Sequence, residues 1–339
     1  MKLCLSQIKE ITLGAVRFEE TNDGIFFYRF TKEQEEAYKE LRLDFHYKGT
    51  FATSGIKFRF KTDSKKLFLK ALAVNAGVRG YYSIEVFVNG KRIDDINNFS
   101  DVVGKIDNYT NVEYQHGECS KSFDLGEGIK DVCVYLPWSV NTILKSFELD
   151  DNSFVEPVKP SKNLLCFGDS ITHGVDALYP SNKYASQLAD LLDAQEYNKA
   201  VSGDRFFPEL AKLKDDLEPD YITIAYGTND WFHSTRKEFE ENCRKFYSNI
   251  IENYPNAKIV GITPIWRKDM NDEHAFGKFS EIADVISEQT KDFKNVTIIN
   301  GFNLVPREEQ YFADKRLHPN DMGFKLYFKS LISKGIFEK

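Results

Sequence analysis

Four polar motifs in the second half of the sequence contain residue types that together can perform nucleophilic acyl chemistry. Ser170 lies just past the apolar run 163–168, one residue after Asp169, where a helix N-terminus would stabilise negative charge near a nucleophilic hydroxyl. Gly203 has no side chain to keep a substrate from its backbone N–H, and the Asn229 amide is a donor for a developing oxyanion. His318 has a carboxylate close upstream, which suits a general base. Taken alone, each motif is better explained by a helix cap, a turn or a surface ion pair, but their joint occurrence at predicted strand ends indicates one site.

The elements that must position these residues alternate between strands and helices. Short apolar runs at 163–168, 221–226, 257–263 and 296–300 predict buried strands, and intervening segments have the 3.6-residue period of helices. This alternation predicts a doubly wound α/β fold with a mostly parallel sheet, in which ligands bind outside the carboxyl ends of the strands.

The first 150 residues have a hydrophobic period of two, which predicts antiparallel strands. The run 56–60 is one such strand, and the alternation of apolar and polar residues at 41–46 predicts another. Only 31–41 has a helical pattern, with Thr31 and Gln34 placed as a capping box. We therefore predict an all-β sandwich at 1–150, a proline-containing linker at 151–162 and an α/β domain at 163–339.

Composition excludes several classes of protein. The formal net charge of −7 argues against nucleic-acid binding, and no apolar run approaches the roughly 18 residues that span a bilayer. Five cysteines without a C-x-x-C pair predict neither a disulfide framework nor a zinc site. The first residues lack the apolar core of a signal peptide, so we expect a cytoplasmic protein unless a leader has been trimmed. We expect no metal or other cofactor.

The motifs resemble the four blocks of the SGNH (GDSL-type) hydrolases, in chain order and approximate spacing over about residues 162–339: GDSIT with Ser170, Gly203, GTND with Asn229, and HP with His318. This resemblance implies that Ser170 is the nucleophile and His318 the base. It also implies an oxyanion hole formed by the backbone N–H groups of Ser170 and Gly203 and the side chain of Asn229. The implied fold is a flavodoxin-like three-layer α/β/α sandwich.

A β-sandwich ahead of such a domain resembles the two-domain carbohydrate esterases, such as the family 2 acetyl esterases. This architectural resemblance implies a jelly-roll-like sandwich and a serine esterase that removes short acyl groups, acetyl above all, from carbohydrate. A short-chain lipid ester or a thioester is the alternative substrate, and a glycan-binding protein with a vestigial hydrolase domain is the alternative from another class. The expected partner is a small-molecule or oligosaccharide ester, and no nucleic-acid or membrane partner is expected. Whether the protein forms a homo-oligomer stays open.

One departure concerns the acid that would orient His318. The family pattern is D-x-x-H, but Lys315 occupies the position three residues before His318, and Asp314 lies one residue further upstream. We predict that Asp314 still reaches the imidazole. The alternatives are a backbone carbonyl in a Ser–His dyad and, as a weaker substitute, Asp321.

Other residues near the motifs have less defined roles. Asp169 is expected to stabilise the turn around Ser170, and it is also a candidate substrate contact together with Trp266 and Arg205. Trp266 could equally well pack in the hydrophobic core. For Arg205, the simpler interpretation is a solvated charge on the surface. For the sandwich tyrosine Tyr81, core packing is expected rather than a sugar platform.

Overall fold

The computed structural model describes residues 1–77, 79–106 and 108–337. The first part of the chain forms two antiparallel sheets. In spatial order, with strands numbered along the chain, the first sheet consists of β1 (Thr12–Leu13), β4 (Lys57–Thr62), β9 (Lys130–Tyr135), β6 (Ser83–Val88) and β7 (Lys91–Asn97), and β11 (Glu156–Pro157) pairs with β4. The second sheet consists of β2 (Arg17–Thr21), β3 (Gly24–Tyr28), β10 (Val140–Leu149), β5 (Lys66–Asn75) and β8 (Gly117–Asp124).

Side chains of the two sheets share one hydrophobic core. Phe58 of β4 lies between Phe27 of β3 and Phe147 of β10, with ring centroids 5.4 and 5.3 Å away in edge-to-face geometry. Phe58 and Phe60 are fully buried, as expected for one face of a period-two strand. The jelly-roll-like connectivity stays a prediction, as do the domain boundaries, although β11 shows that part of the predicted linker adds to the first sheet.

The prediction of a strand at 41–46 is wrong. Helix α1 (Leu5–Ile11) precedes the sheets, and α2 (Lys32–Leu41) and α3 (Asp44–Gly49) follow β3. The capping box of Thr31 and Gln34 begins α2 as predicted. Leu41, Leu43 and Phe45 are 55%, 65% and 47% exposed, so their alternation does not mark a buried strand face.

The rest of the chain forms a parallel sheet, which confirms the predicted α/β arrangement. In spatial order its strands are β13 (Ala194–Asn198), β12 (Lys162–Gly168), β14 (Tyr221–Ala225), β15 (Lys258–Ile262) and β16 (Val296–Ile299). The order 2-1-3-4-5 is that of flavodoxin-like sheets. The helices are α4 (Ser170–His173), α5 (Tyr184–Leu192), α6 (Pro208–Lys212), α7 (Thr228–His233), α8 (Arg236–Asn253), α9 (Ile282–Thr290) and α10 (Asp321–Ile332).

Helices cover both faces of this sheet. Leu164 and Cys166 of β12 face the cluster that contains α5 and α10, whereas Leu165 and Phe167 face the cluster that contains α6, α8 and α9. Strand residues alternate between the two clusters because successive side chains of a strand point to opposite faces. Among the described helices, none is both long and apolar enough to cross a bilayer.

The β-sandwich packs directly against the α/β unit beside the end of β13. The buried Arg29 guanidinium donates to the carbonyl oxygens of Asn198 and Ala200 at 2.6 and 3.0 Å. The indole N–H of Trp138 donates to the Ala177 carbonyl oxygen at 2.7 Å. These buried contacts place sandwich residues next to the carboxyl end of the parallel sheet, where all the predicted site residues lie.

Candidate active site

Ser170 is the first residue of α4, directly beyond the carboxyl end of β12. Asp169 precedes it as the N-cap, and its carboxylate accepts a hydrogen bond from the Ile171 backbone N–H at 3.0 Å. Burial raises the pKa of Asp169 to about 7. Asp169 therefore has the turn-stabilising role that its position in the sequence suggests, and its carboxyl is 3% exposed rather than presented to solvent.

His318 connects Ser170 to Asp314 through both nitrogens of its ring. Nε2 of His318 lies 2.9 Å from Oγ of Ser170, and Nδ1 lies 2.7 Å from Oδ2 of Asp314. When Nδ1 holds the ring proton, Nε2 is left as an acceptor for the serine hydroxyl. The three side chains thus have the hydrogen-bonding pattern of a nucleophile, its base and the acid that orients the base.

The extra residue between Asp314 and His318 is absorbed by Lys315. Lys315 has a φ of +58°, in the left-handed region, which turns the chain tightly enough for Oδ1 of Asp314 to accept three backbone N–H groups. These donors are Arg316, Leu317 and His318, at 2.9, 2.8 and 3.1 Å. The structure thus brings Asp314, and not a backbone carbonyl, to Nδ1 of the imidazole.

The weaker candidate, Asp321, has other partners. It lies in the first turn of α10 and accepts hydrogen bonds from the Asn182 side chain and the Tyr179 backbone N–H.

The electrostatics of Asp314 favour its ionised form. Burial raises the pKa of this carboxyl, but the hydrogen bond and charge of His318 and the backbone N–H groups outweigh burial and hold the pKa well below its usual range. Asp314 is therefore a carboxylate at neutral pH and an acceptor for Nδ1–H of His318.

Gly203 lies on a loop and Asn229 in the first turn of α7, and hydrogen bonds link these segments to each other and to the Ser170 turn. The Val201 backbone N–H donates to the carbonyl oxygen of Gly168 at 3.2 Å, and Nδ2 of Asn229 donates to the carbonyl oxygen of Asp204 at 2.9 Å. A primary amide has a second N–H donor besides the one that binds Asp204. Gly203 has a φ of +80° and lies against Phe45, to which an added Cβ would approach within 2.9 Å.

The candidate substrate contacts Arg205 and Trp266 both have protein partners. The half-buried Arg205 guanidinium donates to the His233 carbonyl oxygen and the Ser234 hydroxyl at 3.3 and 3.1 Å. Trp266 is also half-buried and packs on Phe312, with ring centroids 5.1 Å apart. The structure does not bring either side chain into the Ser170–His318–Asp314 hydrogen-bond chain, so their contact with substrate stays a prediction.

Two further charged residues adjoin the catalytic candidates, and sequence reasoning missed them. Asp176 is fully buried, and its Oδ2 lies 3.9 Å from Nδ1 of His318. Arg79 of the sandwich donates to both carboxylate oxygens of Asp176, at 2.7 and 3.1 Å, and the Tyr81 hydroxyl donates to Oδ1 at 2.5 Å. Neither Arg79 nor Asp176 belongs to a recognisable motif, and 97 residues separate them, so the sequence offers no signal for this contact.

Asp176, Asp314 and His318 also form a group of possible metal ligands within the described residues. Both oxygens of Asp176 already accept hydrogen bonds from Arg79, and Asp314 and His318 bind each other. A cation would have to displace the Arg79 guanidinium, so this donor set does not fit a metal ion.

Comparison with known proteins supports the assignment of the second half of the chain. The model of the GDSL-like lipase/acylhydrolase family matches residues 166–326, while no curated protein matches the sequence. The chain is similar in structure to a salicylyl-acyltransferase from a tetracycline biosynthetic pathway, with a TM-score of 0.79 and 19% identity, over 96% of this chain and 94% of that one.

Two further similar structures have the same two-part architecture along nearly their whole length. A protein of Bacteroides ovatus ATCC 8483 that is assigned as a GDSL-like lipase has a TM-score of 0.73 and 17% identity, over 98% of this chain and 97% of that one. A family two carbohydrate esterase from Clostridium thermocellum has a TM-score of 0.65 and 15% identity, over 95% and 97% of the two chains. At these identities the likeness shows a common fold. Residues 166–326, which contain all the predicted site residues, are therefore a GDSL-like lipase/acylhydrolase domain.

Proposed function

We propose that this protein is a serine esterase that removes short acyl groups, acetyl above all, from carbohydrate through an acyl-enzyme on Ser170. The observation that carries the proposal is the continuous hydrogen-bond chain from Asp314 through His318 to the Ser170 hydroxyl, with contacts of 2.7 and 2.9 Å. The family match adds the reaction class, acyl-group hydrolysis.

The proposed reaction begins when Oγ of Ser170 attacks the ester carbonyl carbon and Nε2 of His318 takes the hydroxyl proton. The Asp314 carboxylate fixes the Nδ1–H tautomer and stabilises the imidazolium that forms. The tetrahedral intermediate then expels the alcohol, which receives the proton from Nε2. In the second half, His318 deprotonates water, which attacks the acyl-enzyme, and the carboxylic acid leaves as Ser170 regains its proton.

The oxyanion of each tetrahedral intermediate needs donors that are already in position. We assign these to the backbone N–H groups of Ser170 and Gly203 and to Nδ2 of Asn229. The hydrogen bond from Asn229 to the Asp204 carbonyl oxygen supports this role, because it fixes the amide before substrate binds. Each such donor raises kcat by a factor of about 10²–10³.

The substrate class is inferred from the architecture and from one cavity. The similar structures include, by their descriptions, family two carbohydrate esterases and an acetyl xylan esterase from Butyrivibrio proteoclasticus, the latter with a TM-score of 0.57 and 16% identity. A cavity of about 180 Å³ lies between the sandwich and the α/β unit, beside Gly203, where its lining includes Phe45, Asn75, His173 and Ser202. Neither Ser170 nor His318 lines this cavity, so under this proposal it holds a part of the sugar away from the ester, and its mixed aromatic and polar lining suits a sugar better than a lipid tail.

Acetate release from acetylated xylo-, manno- and glucosamine oligosaccharides, measured beside a simple aryl acetate, tests this proposal. Ser170→Ala should abolish release, whereas Ser248→Ala, which changes an exposed serine of α8, should leave it unchanged. Release from one sugar class would identify the carbohydrate substrate. Turnover of aryl acetate alone would support the esterase activity but contradict the carbohydrate substrate. Equal behaviour of wild type and Ser170→Ala on every ester would contradict the catalytic proposal and favour a glycan-binding protein.

Acyl transfer to an alcohol is the second candidate, because the similar structure with a TM-score of 0.79 is described as an acyltransferase. Both reactions share the acyl-enzyme and differ only in whether water or an acceptor hydroxyl attacks it. The same assay separates them when sugar or phenol acceptors are added. Acylated acceptor formed at the expense of free acetate indicates a transferase.

A further inference from the structure

Two carboxylates, the fully buried Asp176 and the partly buried Asp314, face the same nitrogen of His318. Oδ2 of Asp314 lies 2.7 Å from Nδ1, and Oδ2 of Asp176 lies 3.9 Å from it. Asp176 is fully buried and has a φ of +74°, so the turn after α4 holds its carboxylate against the imidazole in a sparsely populated backbone conformation. Only Asp314 is needed to orient the ring, so the second carboxylate requires an explanation.

The guanidinium of Arg79 lies between the two carboxylates. It donates to Asp176 through Nε and Nη2 in the bidentate geometry of strong arginine–carboxylate pairs, and Nη2 lies 3.9 Å from Oδ2 of Asp314. Arg79 comes from the loop between β5 and β6 of the sandwich, and Tyr81 of the same loop also donates to Asp176. The sandwich thus supplies both donors that hold Asp176.

Charge balance explains this arrangement. Two carboxylates that lie beside one imidazole repel each other, and the usual result is that one of them retains a proton. A proton held at Asp314 would remove the acceptor that fixes the Nδ1–H tautomer of His318. The Arg79 guanidinium, which lies beside both groups, balances their negative charge.

We propose that Arg79 is a positioning residue of the sandwich, which balances the negative charge of Asp176 and thereby keeps Asp314 ionised and His318 oriented to accept the Ser170 proton. The inference rests on the proposed esterase function and deepens it, because it makes the sandwich part of the proton-transfer apparatus. Among the described residues, the titratable and charged groups that face His318 are Asp314 on its own loop, Asp176 after α4, Asp169 before Ser170, and Arg79 from the sandwich.

The test compares Arg79→Met, Asp176→Asn and the double variant by the pH dependence of kcat/KM for aryl acetate. Arg79→Met leaves two uncompensated carboxylates that hold a proton at the site, so the acid limb of the profile should move to higher pH. Activity at neutral pH should fall by about 10²-fold, the loss that a small misplacement of a catalytic group causes. Asp176→Asn removes a carboxylate from the imidazole and should move the acid limb to lower pH.

Non-additivity distinguishes charge neutralisation from simple packing. The double variant Arg79→Met/Asp176→Asn removes both charges, so it should be more active at neutral pH than Arg79→Met alone, and Arg79→Lys should retain most activity. The matched control is Arg59→Met with Asp131→Asn, a half-exposed pair of the sandwich 3.0 Å apart, which should leave the pH profile unchanged.

Additive losses, or an acid limb that stays in place in both single variants, would overturn the inference. If Arg79→Met does not fold, an unchanged acid limb in Asp176→Asn alone is sufficient to reject it. Failure of the proposed function is distinguishable from these outcomes, because in that case the wild type itself lacks Ser170-dependent turnover.

Discussion

Replacing Asp314 by asparagine perturbs the imidazole through its tautomer. Oδ1 of Asp314 accepts three backbone N–H groups, and Oδ2 lies 2.7 Å from Nδ1 of His318. Asparagine has one oxygen acceptor, so with that oxygen on the backbone N–H groups its NH₂ group faces Nδ1. Nδ1 must then accept, and the ring proton moves to Nε2, the atom 2.9 Å from the Ser170 hydroxyl.

The size of the effect follows from which amide orientation is favoured. The opposite orientation keeps the tautomer but sets an NH₂ group against three N–H donors, and each donor left without an acceptor costs about 1–3 kcal/mol. The first orientation is therefore favoured. Because Nε2 then holds a proton and no longer accepts one from Ser170, we expect kcat to fall by about 10⁴. KM should change little, since the carboxylate lies behind the ring.

Steady-state hydrolysis of an aryl acetate by purified Asp314→Asn measures this effect. Asp321→Asn is the matched control, because its carboxylate binds Asn182 and Tyr179 and not the imidazole. The control should keep most of the wild-type kcat. Retention of most activity by Asp314→Asn would refute the reasoning and favour a Ser–His dyad.

Three further predictions concern other parts of the structure. Asn229→Ala removes an oxyanion donor and should lower kcat by about 10²–10³ with KM nearly unchanged, and near-wild-type kinetics would exclude the assignment. Gly203→Ala places Cβ 2.9 Å from Phe45 at a φ of +80° and should lower the free energy of unfolding in urea by about 1–2 kcal/mol. Burial raises the pKa of Glu85 to about 7, so the folded state favours the protonated carboxyl. The stability that this carboxyl contributes is fully present below its unfolded pKa and is lost as pH rises through 7. Glu85→Gln should therefore gain stability over wild type between pH 5 and 8, by at most about 3 kcal/mol, and a gap in Tm that does not grow with pH would contradict this.

Much of the parallel sheet and of the site was predictable because the responsible signals are local. The apolar runs that form β12, β14 and β15 are short and mostly buried, whereas β16 is a partly exposed edge strand, and the carboxyl ends of all four meet at one edge. Ser170, Gly203 and Asn229 follow three adjacent strands, so their proximity is a consequence of chain order and sheet topology.

The remaining features depend on contacts that no local pattern contains. The alternation at 41–46 has the period of a strand, but both Leu43 and Phe45 are exposed. Phe45 lies in the short helix α3, and Leu43 directly precedes it. The fit of Asp314 depends on the left-handed conformation of Lys315, which residue identity alone does not favour. Arg79 meets Asp176 only because the sandwich packs on the α/β unit, and that tertiary arrangement is absent from the sequence pattern.

The central claim is that His318 and Asp314 activate Ser170 as a nucleophile, and covalent labelling tests it most directly. The native protein is treated with an alkyl fluorophosphonate, digested and mapped by mass spectrometry, with heat-denatured protein as the control. The account predicts a single adduct on the peptide that contains Ser170, formed rapidly in the wild type, slowly in Asp314→Asn and not after denaturation. An unlabelled Ser170, or labelling at the same rate in Asp314→Asn, would contradict it.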